Sequence, residues 1–136
     1  MKPIASLLAV AAVVACSDSF KPTTDNVLGN YAASTFTTTD STGTKDWIVA
    51  GASLELLLGA QGITVGTLSV PGAGPGGTNV LADMTGTWEL TGNTVHFTQN
   101  ADTFVRDIDW VASENRLSGD ATFSGKRIRV VLTKQP

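Results

Sequence analysis

The sequence predicts an all-β domain, an eight-stranded antiparallel up-and-down barrel, and three observations carry that reading. Residues 84–99 (MTGTWELTGNTVHFTQ) are two alternating runs joined by Gly92-Asn93. That dipeptide signals a tight hairpin, because glycine supplies the positive φ that a primed two-residue turn needs. The 136 residues include fourteen glycines and five prolines, abundant threonine and no long run at helical period, which disfavours helical organisation. Two later hairpins can also be registered from their turn residues, and both place apolar side chains on the same side of the strand they share.

The Gly92-Asn93 turn sets Thr91 opposite Thr94, Leu90 opposite Val95, Glu89 opposite His96, Trp88 opposite Phe97 and Thr87 opposite Thr98. Successive side chains point to opposite faces. Trp88, Leu90, Val95 and Phe97 therefore share one face, and threonines with the Glu89/His96 pair share the other. An antiparallel sheet with one dry and one wet side follows.

At the start of the chain Lys2 precedes an uncharged, largely apolar stretch over residues 4–14, and Ala15-Cys16 follows at once. This has the form of an export signal and is too short to span a bilayer as a stable helix. Val13-Val14-Ala15-Cys16 resembles a bacterial lipobox. The resemblance implies cleavage before Cys16, with lipid on its sulfur and on the new amino terminus. Cys16 is the only cysteine, so no disulfide partner exists for it. A secreted protein with one free thiol, or a buried N-terminal helix, is the alternative. Several acyl chains, at about 0.8 kcal/mol per buried methylene, hold a protein on a membrane durably. In lipoproteins of this type an aspartate directly after the cysteine often marks retention at the inner membrane. Here Ser17 stands there and Asp18 comes next, which points to the outer membrane facing the periplasm. Residues 17–26 (SDSFKPTTDN) are polar and include Pro22, so they read as a tether reaching at most roughly 33 Å. The chain thus divides into a signal peptide (1–15), a lipidated cysteine with its tether (16–26) and a barrel domain (27–136).

Residues 28–39 are rich in β-branched and aromatic side chains and form the first expected strand. Turn chemistry follows in DSTGTK. Residues 46–58 are ambiguous: Ala, Leu and Glu favour helix, whereas Gly51 interrupts one and Leu54, Leu56 and Leu58 fall at period two. Strand is the reading taken, with a turn centred on Ala60-Gln61 that pairs Leu58 with Ile63 and Leu56 with Val65 in the next strand, 63–70. Residues 71–79 (PGAGPGGTN) are a surface loop, since four glycines and two prolines cannot form a ladder. A phosphate-binding loop would need a following Lys-Ser or Lys-Thr and a helix, which the sequence lacks. Strands at 80–91 and 94–100 are the two arms of the first hairpin, with Ala82, Met84, Trp88 and Leu90 on one parity.

A turn at Glu114-Asn115 sets Ala112 opposite Leu117, Trp110 opposite Gly119 and Ile108 opposite Ala121. A turn at Gly125-Lys126 sets Phe123 opposite Ile128, Ala121 opposite Val130 and Gly119 opposite Leu132. The last strands are then 103–112, 116–124 and 127–133. Eight sequential strands with one apolar face close most economically into a barrel, which removes the sheet edges. Two packed sheets are the alternative.

Gly29-Asn30-Tyr31, the run Gly86-Thr87-Trp88-Glu89-Leu90-Thr91-Gly92-Asn93-Thr94-Val95, and the closing FSGKRIRVVL of residues 123–132 together resemble a small lipocalin-like (calycin-type) barrel of the kind found in bacterial lipoproteins. A lipocalin's first strand usually carries Gly-x-Trp with a late arginine across the indole. Here the aromatic is Tyr31, and Arg127 or Arg129 takes the arginine's place. The resemblance implies a small apolar or amphipathic ligand inside the barrel, with Trp88, Leu90, Phe97, Trp110 and Phe123 as candidate lining residues. The same aromatics equally serve as core filling, the default for so small a barrel.

Composition narrows the remaining classes. The formal net charge is −3 and no basic stripe exists, which disfavours a nucleic-acid partner. Lys126, Arg127 and Arg129 read as a solvated hairpin edge. One histidine, His96, lies on the wet face beside Glu89, a poor start for a hydrolytic triad. Asp102, Asp107 and Asp109 lack the dense spacing of a calcium loop, and Arg106 and Arg116 read as exposed strand ends. The expectation is a non-enzymatic protein of the cell envelope without cofactor or metal, attached to a membrane by its lipid. Its barrel either binds a small ligand or, fully packed, meets another envelope protein.

Overall fold

A computed structural model describes residues 20–136. The expected signal peptide and Cys16 lie outside the described residues. The fold is a closed eight-stranded antiparallel barrel. In chain order the strands are β1 (Gly29–Asp40), β2 (Gly43–Asp46), β3 (Ser53–Leu58), β4 (Ile63–Val70), β5 (Val80–Asp83), β6 (Gly86–Thr91), β7 (Thr94–Gln99), β8 (Trp110–Ser113), β9 (Arg116–Phe123) and β10 (Lys126–Lys134). A single α-helical turn, α1 (Phe104–Asp107), joins β7 to β8. Neighbours in sequence are neighbours in space, and pairing of β1 with β10 from Tyr31–Lys134 to Thr39–Arg127 closes the sheet. β2 folds back on the far end of β1 as a short exposed arm.

Apolar side chains fill the inside, with Phe97, Trp110, Leu117, Val130 and Leu132 fully buried, while most strand positions between them carry polar groups outward, Ile63, Val65, Leu81 and Val111 excepted. This is the reverse of a barrel whose outer wall meets lipid. The first hairpin has the register expected from Gly92-Asn93, from Thr91–Thr94 to Thr87–Thr98, with Gly92 at φ 62°. β8 and β9 pair as Glu114-Asn115 requires, Ala112 opposite Leu117.

Elsewhere the local chemistry overrules the expected pairing. The strand expected at 46–58 is broken over residues 47–51. Asp46 Oδ1 accepts the backbone N–H of Ile48 and of Val49, and Gly51 turns the chain at φ 98°. An aspartate that binds its own downstream backbone favours a turn over a ladder. The turn at Ala60-Gln61 is also longer than expected. Gln61 and Gly62 both take positive φ, and Leu58 pairs with Thr64 instead of Ile63. A one-residue slip exchanges the faces. Thr64 is therefore fully buried, its hydroxyl donating to the Leu57 carbonyl at 2.8 Å, while Ile63 and Val65 are 52% and 40% exposed.

The last turn sits at Ser124-Gly125, with φ of 50° and 78°, and pairs Phe123 with Lys126. This differs from the expected register by two residues, so every side chain keeps its face: Ala121 meets Ile128, Gly119 meets Val130 and Leu117 meets Leu132. The strand expected over 80–91 bends at Met84-Thr85, where Asp83 Oδ1 accepts the Thr85 N–H at 2.9 Å. Its halves β5 and β6 keep one continuous register on β4, Thr67–Asp83 and Thr64–Gly86. Residues 103–109 are not strand. Thr103 caps α1 by accepting the Val105 N–H, and β7 pairs with β8 only at Thr94 and Val95.

Candidate functional site

Connections in an up-and-down barrel alternate between its two ends. The turns at 59–62, 92–93 and 114–115 fall at one end together with the N-terminal segment. The long connections at 41–52, 71–79 and 100–109 fall at the other, with the turn at 124–125. The two ends are built differently.

The first end is sealed. Thr23 and Asn26 exchange side-chain and backbone hydrogen bonds at 2.7 and 3.1 Å, and Asn26 Nδ2 donates to the Lys21 carbonyl. This knot turns Val27, 1% exposed, into the core, where its carbonyl accepts the Tyr31 hydroxyl at 2.8 Å. Lys134 Nζ donates to the Asn26 carbonyl and lies 5.9 Å from the Tyr31 ring centroid. Lys134, not Arg127 or Arg129, is thus the cation over Tyr31. β1 pairs with those arginines at Thr39 and Thr37, toward its far end. Burial raises the Tyr31 phenol above its ordinary pKa of 10.0. From Lys21 onward, the segment whose composition reads as a tether is held against the barrel.

Between the ends, the interior is filled by its own side chains. Trp110 and Phe97 meet edge to face at 6.3 Å, and the Trp110 indole N–H donates to the Val105 carbonyl. Trp88 is 5% exposed and donates to the Gly59 carbonyl at 2.8 Å. Nearer the ends, Leu90 beside the 92–93 turn and Phe123 beside the 124–125 turn are half-buried against the same core. These five are the candidate lining residues from the sequence, and none of them lines the cavity at the other end.

That second end is an open mouth. A cavity of about 370 Å³ is walled by Phe36 and Thr38 of β1, Leu68 and Val70 of β4, Val80 of β5, and Lys126 and Ile128 of β10. Trp47, Gly72, Ala73 and residues 102–104 complete it from the long connections. Phe36 and Phe104 meet edge to face at 5.3 Å across it. Trp47 is fixed by its indole N–H to Thr38 Oγ1 at 2.9 Å, and Lys45 Nζ lies 3.9 Å from its ring centroid. Thr38, Trp47 and Lys126 also border a smaller polar groove of about 220 Å³ with Asp40, Thr42 and Lys45. The Thr42 hydroxyl and backbone N–H both donate to Asp40 and hold its carboxyl below 3.8, with Lys126 adding to the effect. A further groove of about 350 Å³ crosses the outer wall over Leu57 and Val65. The mouth differs in gathering large apolar side chains from separate strands around one concavity with a few polar groups at its rim, the usual form of a small-molecule site.

The remaining chemical candidates are dispersed. His96 stands opposite Glu89 as the register requires, but its polar contact is with Asp109, at 3.1 Å on the exposed outer wall. Asp102 and Asp107 pair with Arg106, and Asp120 pairs with Arg127. Among the described residues no group of three or more His, Cys, Asp or Glu is placed to hold a metal ion.

Sequence reasoning followed inward aromatics along the hairpin and so found the packed middle of the barrel. The mouth residues Phe36, Trp47, Leu68, Val70, Phe104 and Ile128 come from separate strands and connections and are brought together only by closure of the barrel at the long-connection end. Compared with protein-family models, with curated proteins and with solved structures, the chain matches none.

Proposed function

We propose that this is a lipid-anchored protein of the cell envelope, without catalytic activity, whose barrel binds a small apolar or amphipathic molecule at its open end. The observation that carries this reading is the mouth cavity, where Phe36, Trp47, Leu68, Val70, Phe104 and Ile128 converge beneath a rim bearing Thr38, Asp102 and Lys126. An apolar part of the ligand rests on the aromatic floor and a polar part meets the rim. Attachment through Cys16 is supported by the lipobox-like Val13-Val14-Ala15-Cys16, and residence at the outer membrane facing the periplasm by Ser17 after the cysteine. Native mass spectrometry of the protein purified gently from its own host tests the binding. The expected result is a reproducible bound mass that is lost on denaturation and is absent from Val80→Trp, which fills the mouth from its β5 wall and whose thermal melt checks that the barrel is still folded. A clean apo mass for the unaltered protein, with no response to an apolar fluorescent probe, overturns it.

A second reading has its own support. Ile63 and Val65 are exposed on the outer wall, with Leu57 paired to Val65 beside them. Such a patch suits a protein partner in the envelope. An apo mass together with co-purification of a defined partner that is lost in Ile63→Lys favours this interaction module.

A further inference from the structure

We infer that the mouth is held facing away from the membrane to which Cys16 attaches the chain. Its occupant is therefore a compact amphipathic molecule taken from the aqueous side, not a lipid of the anchoring leaflet. The inference rests on the anchoring and mouth-binding readings above, and it follows from a comparison of two lengths.

The first length is the free chain between lipid and barrel. Lys21 is already held, through its carbonyl, by Asn26, and Asn26 is held by Lys134. The chain enters the barrel where Gly29 pairs with Leu58, at the sealed end. Five residue steps separate Cys16 from Lys21, and they span at most about 18 Å even when fully extended. The second length is the barrel itself. β1 has twelve residues, which rise about 40 Å along the strand and, at the tilt of a barrel, about 30 Å along its axis. The tether is shorter than the barrel is tall. The sealed end stays near the headgroups, and inversion of the barrel onto its mouth is out of reach.

The sealed end suits that place, since its turns present Gln61, Asn93, Glu114 and Asn115 to solvent. Val49 and Leu81, 84% and 76% exposed, adjoin the mouth residues in sequence and are kept clear of the anchoring bilayer by the same geometry. The cavity's 370 Å³ is near the lower end of the roughly 300–1,000 Å³ of small-molecule sites, a size for a single compact ligand and not for a two-chain lipid.

The test uses the acylated full chain in phosphatidylcholine/phosphatidylglycerol vesicles that carry a headgroup quencher. Acylation occupies the chain's own cysteine, so Ala73→Cys at the mouth and Glu114→Cys at the sealed end each offer one thiol for a fluorophore. The Glu114→Cys probe is expected to be quenched at least threefold more strongly than the Ala73→Cys probe. Equal quenching, or stronger quenching at Ala73→Cys, overturns the orientation. A chain that carries no acyl mass and does not float with the vesicles overturns the anchoring reading, and the orientation with it. Native mass spectrometry of the protein released from the vesicles tests the occupant. Absence of phospholipid from the barrel is expected, and a bound phospholipid mass overturns the aqueous source while leaving binding at the mouth intact.

Discussion

The six-membered ring of Trp110 lies where a side chain on Gly119 would begin: a Cβ built there falls 2.8 Å from Trp110 Cζ3 and 3.0 Å from Ile108 Cγ2. The largest fully buried side chain of the barrel is therefore seated on bare backbone. Gly119→Ala is expected to destabilise the fold by about 1–3 kcal/mol through overpacking, read as a lower urea midpoint. Trp110→Phe in the same chain should recover part of the loss, since residues in contact are not additive. Full additivity of the two changes would contradict the packing described.

The slip after Gly59 makes neighbouring positions respond oppositely to charge. Thr64→Lys places an ammonium in the core and should prevent folding or cost several kcal/mol. Ile63→Lys, on a position 52% exposed, should stay within about 0.5 kcal/mol. Thermal melts of both variants check this, and the reverse order would restore the pairing of Leu58 with Ile63.

Tyr31 ties the N-terminal segment to the sealed end. Its folded pKa lies above the ordinary 10.0 because burial disfavours the phenolate. The unfolded chain therefore ionises first, and this contribution to stability is complete below about pH 10 and declines as pH rises beyond it. Tyr31→Phe removes the hydrogen bond to Val27 at a cost of about 1 kcal/mol and should flatten the alkaline limb of stability against pH. An unchanged limb would place the alkaline transition elsewhere.

On the acid side Asp120 is the complementary case. The Arg127 hydrogen bond, and secondarily its charge, hold the Asp120 carboxyl below 3.8. A depressed carboxylate contributes stability above that value and loses it as pH falls through the folded pKa. Both partners are well exposed, so the contribution is small and is screened by salt. Asp120→Asn and Arg127→Gln should each weaken the acid limb, and the double variant should do little more than either alone. Equilibrium unfolding between pH 2 and 6 at low and high salt measures it.

Much of the barrel was legible because hairpin chemistry is local. Gly92-Asn93 and Glu114-Asn115 name their turns, and the alternation on either side names the inward face. Where the expected register failed, the cause was also local but quieter. Asp46 and Asp83 bind their own downstream backbone, and Gln61, a residue rarely at positive φ, lengthens a turn. The two-residue slide at Ser124-Gly125 was harmless because sheet faces repeat at two. The single-residue slip at 59–62 was not, and it exchanged Thr64 for Ile63 in the core. The mouth was hidden for another reason. Its walls come from β1, β4, β5, β10 and three connections, segments spread from Phe36 to Ile128 that only closure of the sheet brings together.

By itself the sequence determined the all-β class, the up-and-down order, the dry face of the Gly92-Asn93 hairpin and of the last three strands, and the inward placing of Trp88, Phe97 and Trp110. Each of these depends on period-two alternation and on turn residues a few positions apart. Only the tertiary structure decided which end of the barrel is sealed by Val27, Tyr31 and Lys134 and which is left open beneath Trp47 and Phe104. That choice depends on contacts between residues as distant as Asn26 and Lys134. Closure of the sheet brings such residues together, and no local preference encodes them.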